Sequence, residues 1–417
     1  MKEIIELQQL TPMWHFQPDL SGCCLRATEV KPKLDTFLLK KSSELAQYRI
    51  RNANGSKIAL DYKLSFIAPD EKTPCITRSP LFFGNLGKQQ KKMVFYGKDP
   101  IEMHVFSFHK ELIEAIKHNL CEFFATHSFG TRQDKGFGFF FPKKENGLTG
   151  KPEDAYGAQY MFKLPYKDFD SIFNAIHYFH KLIRSGINEG GCYYKSLMYF
   201  YARDISIKSG KPIQWDKPTI RHHFELYTEV YKSICGQSPY SVKNFYVDKK
   251  KNKYPPREEM MNEYRKCSSE KCQKWLFRDA LGLAGAQVWK AYDDKISIKA
   301  HDRNFTRFKS PVLYRPVIKG DECIVYIHFD SQSLEEIKKQ SFRISNKNRD
   351  RDPISGIRIY PDFSLEDYFS FIEKRYKDLV GVQKLSITGK PCGGITNRYI
   401  EVIFKPFAGG KGNFRKV

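Results

Sequence analysis

The chain has 417 residues, 41% hydrophobic and 28% charged, which excludes a disordered chain and leaves room for roughly two or three domains with their own cores. Its 70 Lys and Arg against 47 Asp and Glu leave a formal charge of +23. An excess of that size favours a polyanionic partner, nucleic acid being the commonest in the cytosol, unless the composition simply reflects a lysine-rich genome.

From the N-terminus, "EIIELQQLT" (Glu3 to Thr11) alternates apolar and polar residues and predicts a half-buried strand. "LRATEVKPKLDTFLL" (Leu25 to Leu39) has a partly helical pattern, with any helix expected to begin near Pro32. "KIALDYKLSFIA" (Lys57 to Ala68) alternates as one strand, and a long connection containing "SPLFFGNLGK" follows. "IEMHVFSF" (Ile101 to Phe108) reads as a strand. It runs into a helix on which Leu112, Ile113, Ile116, Leu120, Phe123 and Phe124 share one stripe. A last strand is expected in either "FGFFF" or "AQYMFKL". Strand, helix, strand, strand, helix, strand is the order of a ferredoxin-like, RRM-like domain, assigned here to residues 1–165.

Residues 166–291 read as mainly helical. "FDSIFNAIHYFHKLIRSG" forms one apolar stripe closed by Gly186, and "KNKYPPREE" is the best linker candidate. Residues 292–417 return to strands in "KISIKA", "SPVLYRPVI", "ECIVYIHF" and "RYIEVIFKPF", with a Ser-capped helix over "SLEDYFSFIEKRYKDLV". The expectation is an α+β fold: two tandem ferredoxin-like domains around a helical insert.

"HSFGTRQDKGFGFFFP" (His127 to Pro142) gathers flexible backbone, cations and rings in one span. Glycine lets backbone amides approach phosphates, Arg132 and Lys135 add charge, and Phe137 or Phe139 offers a ring for a base. The plain alternative is a tight turn with buried rings. Both are expected in part, with alternate Phe residues in the core and the glycines and cations facing out. A dinucleotide fingerprint fits poorly, because this G-x-G follows a helix and does not open one after a strand.

Among 10 cysteines only Cys23–Cys24 and Cys267/Cys272 lie close together, without zinc-knuckle spacing, so neither a metal nor another cofactor is expected. No stretch approaches the ~18 apolar residues of a membrane span, and "MKEIIELQQLTP" lacks the order of a signal peptide. A cytoplasmic location without membrane partners is expected.

The span "FGTRQDKGFGFF" after a helix resembles the glycine-rich loop of the RAMP superfamily of CRISPR RNA-binding proteins. "LTPMW…CCLRATEVKPKLDTFLL" is similar to the N-terminal pattern of the first subunit of the Cmr (type III-B) effector complex. "FTRFKSPVLYRPV" resembles the Arg-x-x-Ser-Pro strand entry of its second RAMP domain. Pro32 stands where the pattern has glycine, and Asp35 where a cation is usual. The resemblance implies a prokaryotic antiviral ribonucleoprotein. In it a non-catalytic subunit would hold single-stranded guide or target RNA beside other type III effector subunits. Carried over by position, the RNA contacts it implies are Arg26, Thr28 and Lys31 on the first helix. On the loop they are Gly130, Arg132, Lys135, Gly136 and Gly138. In the second domain they are Arg307, Lys309 and Ser310. The alternative is a metal-independent, guide-processing endoribonuclease. Its candidate acid–base groups would be His15, His177, His180, His222 and His223.

Overall fold

The computed structural model describes residues 1–14, 25–51, 57–68, 73–74, 95–143, 148, 150–189, 192–194, 196–209, 213–214, 216–224, 273–283, 286–289, 294–301, 308–348, 351–380, 384–385, 391–392, 397–405 and 413–417. The linker candidate, "SPLFFGNLGK", His15, Arg307 and the two close cysteine pairs lie outside them.

Contacts divide the chain into two units that are not consecutive segments. The first holds Met1–His177, Leu313–His328 and Asn413–Val417; the second holds Tyr178–Val312 and Phe329–Gly412. Neither unit is one continuous segment, because sheet pairing joins strands far apart in the chain.

In the first unit, β1 (Lys2–Gln9), α1 (Ala27–Lys41), β2 (Lys63–Ile67), β3 (Ile101–Phe106), α2 (Lys110–Thr126) and β4 (Phe140–Pro142) follow in order. They form an antiparallel sheet ordered β2-β3-β1-β4. The two central strands are therefore the first and third in sequence, as a ferredoxin-like βαββαβ unit requires. Val30, Leu34 and Leu38 of α1 and Leu112, Ile116 and Leu120 of α2 bury themselves against Ile5, Leu7, Met103 and Val105 of the sheet. Alternation along β1 and β3 puts those residues on one face and leaves the other open.

Two local expectations are corrected, and an alternative left open for the closing strand is resolved. Helix α1 begins at Ala27, before Pro32, which sits inside it. "KIALDYKLSFIA" is two strands: Lys57–Leu60 pairs with Arg49–Arg51, and β2 joins the main sheet. The closing strand comes from "FGFFF", whereas "AQYMFKL" supplies β5 (Tyr160–Pro165), which opens a second sheet.

The second sheet also contains β6 (Val312–Lys319), β7 (Glu322–Phe329) and β8 (Arg415–Lys416). Its order is β6-β7-β5-β8, so second, third, first and fourth strands are again neighbours in that sequence. Helix α3 (Phe169–Arg184) follows β5 and closes on Gly186 at φ 85°, whose N–H donates to the Lys181 carbonyl. The ferredoxin-like order thus occurs twice, the second time interrupted by the long segment between α3 and β6.

The second unit contains helices Leu197–Ser209, Asp216–His223 and Leu365–Val380. Its antiparallel sheet is formed by Ala286–Trp289, Asp294–Ala300, Ser341–Asn346 and Ile354–Arg358. The start of "RYIEVIFKPF" is a helix, Arg398–Phe404, and not the expected strand. Asn397 caps it, its side-chain oxygen accepting from the N–H of Tyr399 and Ile400, and this cap overrides the strand propensity of Tyr, Ile and Val.

Candidate nucleic-acid interface

The glycine-rich loop joins α2 to β4, and four of its residues have positive φ: Gly130 (80°), Arg132 (60°), Gly136 (87°) and Gly138 (67°). Each glycine also fills a place too tight for a side chain. A Cβ on Gly130 would lie 2.6 Å from the Trp14 carbonyl oxygen, and one on Gly136 would lie 2.9 Å from Pro316 Cγ. A Cβ on Gly138 would overlap the Phe129 carbonyl oxygen. Two of these amides are already used: Gly138 N–H donates to Pro12 O at 2.9 Å, and Gly130 N–H to the Glu29 carboxylate at 3.0 and 3.2 Å.

The rings do not alternate between core and solvent. Phe137, Phe139, Phe140 and Phe141 are all buried, and Phe137 stacks on Phe173 with centroids 3.8 Å apart. No base can reach them in this conformation. The span is an aromatic core segment whose glycines let the backbone turn tightly enough to bury every ring.

Its cations are held at different depths. Arg132 lies 6.0 Å from the Trp14 ring centroid and is half-buried; burial lowers its pKa while Asp134 opposes the shift. Lys135 forms an ion pair with Asp134 at 3.1 Å and sits 5.6 Å from the Tyr314 centroid. Lys31 is held inward: its ammonium donates to the Leu60 carbonyl at 2.8 Å and to Asp35 at 3.3 Å, 3.6 Å above the Tyr62 ring. Burial is the largest influence on Lys31 and lowers its pKa, with Asp35 opposing. Arg26 and Thr28 are exposed where α1 begins. In the second unit Lys309 is exposed, whereas Ser310 is buried and its hydroxyl accepts from Val312 N–H at 3.2 Å.

Three residues outside the sequence-derived candidates organise the loop. Glu29, one position after Thr28, accepts from Gly130 N–H, from Gln133 Nε2 at 2.9 Å and from Lys33 Nζ at 3.1 Å. Lys33 also donates to the Ser128 carbonyl at 3.0 Å and to Gln133 Oε1 at 2.9 Å. The i,i+4 spacing of Glu29 and Lys33 is visible in the sequence as a helix pair, but not its reach to a loop about a hundred residues away. Arg315 on β6 is buried and donates to the carbonyls of Gln133 (3.1 Å), Tyr314 (3.0 Å) and Thr126 (2.9 Å). The arrangement brings the exposed turn at Arg26 and Thr28 to the loop through Glu29. Lys31 and Ser310 make internal hydrogen bonds, and Gly136 and Gly138 are buried.

Two histidines outside the candidate set are strongly perturbed. Burial lowers His127 to about 4, and Arg315 and Lys33 push in the same direction against its hydrogen bond to the Phe123 carbonyl. Burial and Arg315 lower His328 to about 3. Of the candidate acid–base groups, His177 and His180 lie on α3, and His223 contacts the Asp352 carbonyl at 2.6 Å. Among the described residues no three His, Cys, Asp or Glu side chains group as a metal site, and no helix is long and apolar enough to cross a membrane.

Residues 1–187 match the profile of the Cmr1 N-terminal domain, and residues 193–391 that of the Cmr1 C-terminal domain. No curated protein matches the chain. Among solved structures, the chain is similar to apo Cmr1 from Pyrococcus furiosus at 13% identity and a TM-score of 0.33, covering 90% of this chain and 97% of that one. A second similarity is to a RAMP protein described as binding different RNA substrates, at 10% identity and a TM-score of 0.19, covering 83% and 95%.

Proposed function

The chain belongs to the Cmr1 family, and from that premise we propose that it is a non-catalytic, RNA-binding subunit of a type III CRISPR ribonucleoprotein, holding single-stranded guide or target RNA beside other effector subunits. The excess of 23 positive charges supports a polyanionic partner. The observation that carries the reading is Arg132. A non-glycine residue in the left-handed region costs about 1–3 kcal/mol, a cost that clusters at functional sites. At φ 60° between Gly130 and Gly136, Arg132 occupies such a position, and the residue is only half-buried. Arg26 and Thr28 add an exposed cation and a hydroxyl beside the helix turn that grips the loop.

The test pairs Arg132→Gly with Arg26→Ala. Glycine accepts positive φ without strain, so the first substitution removes the cation and preserves the backbone. Gel-shift titration of labelled single-stranded RNA should show roughly tenfold weaker binding for the double variant, about 1.4 kcal/mol. Its slope of log K against log salt should fall by about 0.7 for each phosphate no longer neutralised. A folded double variant with wild-type affinity and salt slope would overturn the reading. RNA from the same tubes should run intact on a denaturing gel; a discrete product would return the chain to the endoribonuclease alternative.

A further inference from the structure

The first sheet has a second face, on the side away from α1 and α2. Along β3 the inward residues Ile101, Met103 and Val105 are buried, whereas Glu102, His104 and Phe106 point outward. Phe108, two residues past Phe106, is 83% exposed, and its ring stands 5.1 Å from that of Phe106 at 79°. The register places Lys2 of β1 and Lys63 of β2 directly opposite Phe106, one on each side. Neighbouring strands lie about 4.8 Å apart, so Phe106 sits between two lysine-bearing positions. Both lysines are exposed, and neither forms an ion pair among the described residues. The acidic groups on this face lie further along the strands, where Glu6 is paired with Lys143 at 3.0 Å and Glu102 with His104 at 2.7 Å.

We propose that Phe106 and Phe108, flanked by Lys2 and Lys63, form a stacking platform for one or two unpaired bases of single-stranded RNA, whose phosphates the lysines take. The inference rests on the RNA-binding reading above and adds a surface separate from the glycine-rich loop. Isolated exposed rings are ordinary, but a paired T-shaped set at the end of a central strand, with a cation on each neighbouring strand, is suited to a base and its phosphates. A protein-docking face fits less well. Lysine is depleted at protein interfaces, and the other exposed apolar residues of this face, Ile4 and Ile67, stand opposite the polar His104 and Glu102.

The test uses the full chain and a short oligouridylate carrying 5-bromouracil. Photocrosslinks located by mass spectrometry should fall on the peptide around Phe106 and Phe108. Phe106→Ala with Phe108→Ala should weaken binding about tenfold, while the Tyr pair, which keeps the rings, should bind like wild type. If the alanine pair fails to fold, Lys2→Gln with Lys63→Gln supplies the reading, as several-fold weaker binding with a shallower salt slope. Unchanged affinity with crosslinks confined to 127–139 would overturn the platform and leave the RNA-binding reading intact. Failure of the wild-type chain to bind the probe at low salt would overturn both. Loss of a co-purifying protein partner with RNA affinity unchanged would make this face a protein dock and overturn the platform.

Discussion

The glycine-rich loop and the open face of the first sheet are built from the same residue types and use them in opposite ways. In the loop, Phe137, Phe139, Phe140 and Phe141 are all buried, Lys135 pairs with Asp134, and Gly130 N–H is taken by Glu29. On the sheet, Phe108 stands in solvent beside Phe106, with Lys2 and Lys63 across the register. Density of rings and cations in a short span therefore does not indicate a binding surface. Where the backbone turns back through positive φ, neighbouring rings can all enter a core. Where it runs as a strand, every second residue must face outward.

Acid should affect the loop side of this comparison most. The fold holds His127 and His328 far below the ordinary histidine value, at about 4 and about 3, chiefly through burial. Above about pH 6.5 neither state of the protein protonates them, and the full stability is present. As pH falls, the unfolded chain takes up the protons first, so stability is lost at about 1.4 kcal/mol per pH unit for each histidine. The loss should reach roughly 4 kcal/mol for the pair at about pH 5. Denaturant midpoints of wild type and of a His127→Gln, His328→Gln variant, followed from neutral pH to about pH 5, provide the check. An equally steep decline in the variant would show that other groups carry the acid sensitivity.

The next effect in size belongs to Gly138. Its φ of 67° disfavours any side chain, and a Cβ there would run into the Phe129 carbonyl oxygen. Gly138→Ala should cost roughly 3 kcal/mol or more, whereas Phe108→Ala on the open face should stay within about 0.5 kcal/mol. Chemical denaturation of the two variants side by side makes the comparison direct. Equal midpoints would mean that the loop is not a tightly packed element.

Much of the first ferredoxin-like unit is legible in the sequence because its signals are local. Period-two alternation marks β1 and β3, and the apolar stripe marks α2. Gly186 is likewise readable as the end of α3. The second sheet is less so, because its first strand, Tyr160–Pro165, pairs with Glu322–Phe329 and no local pattern announces that partner. The loop shows the same limit. Its glycines stand out in the sequence, but the reason for them is contact with Trp14, Pro316 and Phe129, two of which lie far away in the chain. In "RYIEVIFKPF" the misleading local signal is the run of strand-forming residues, which the cap at Asn397 outweighs.

The smallest effect tests the comparison most directly, because it moves the loop toward the condition of the sheet face. Glu29 is an internal anion seated against Gly130 N–H, Gln133 and Lys33. Glu29→Gln retains an acceptor but removes the charge that Lys33 neutralises. The pair is partly exposed, so stability should fall by only about 1 kcal/mol. RNA affinity should move the other way, rising a few-fold with a steeper salt slope, because Lys33 is left to meet a phosphate. The two signs separate the possibilities. Weaker RNA binding in a variant of unchanged stability would mean that Glu29 shapes the loop for RNA and does not compete with it. Lower stability with tighter binding would mean that the loop's cations are restrained from within, whereas those on the sheet were never restrained.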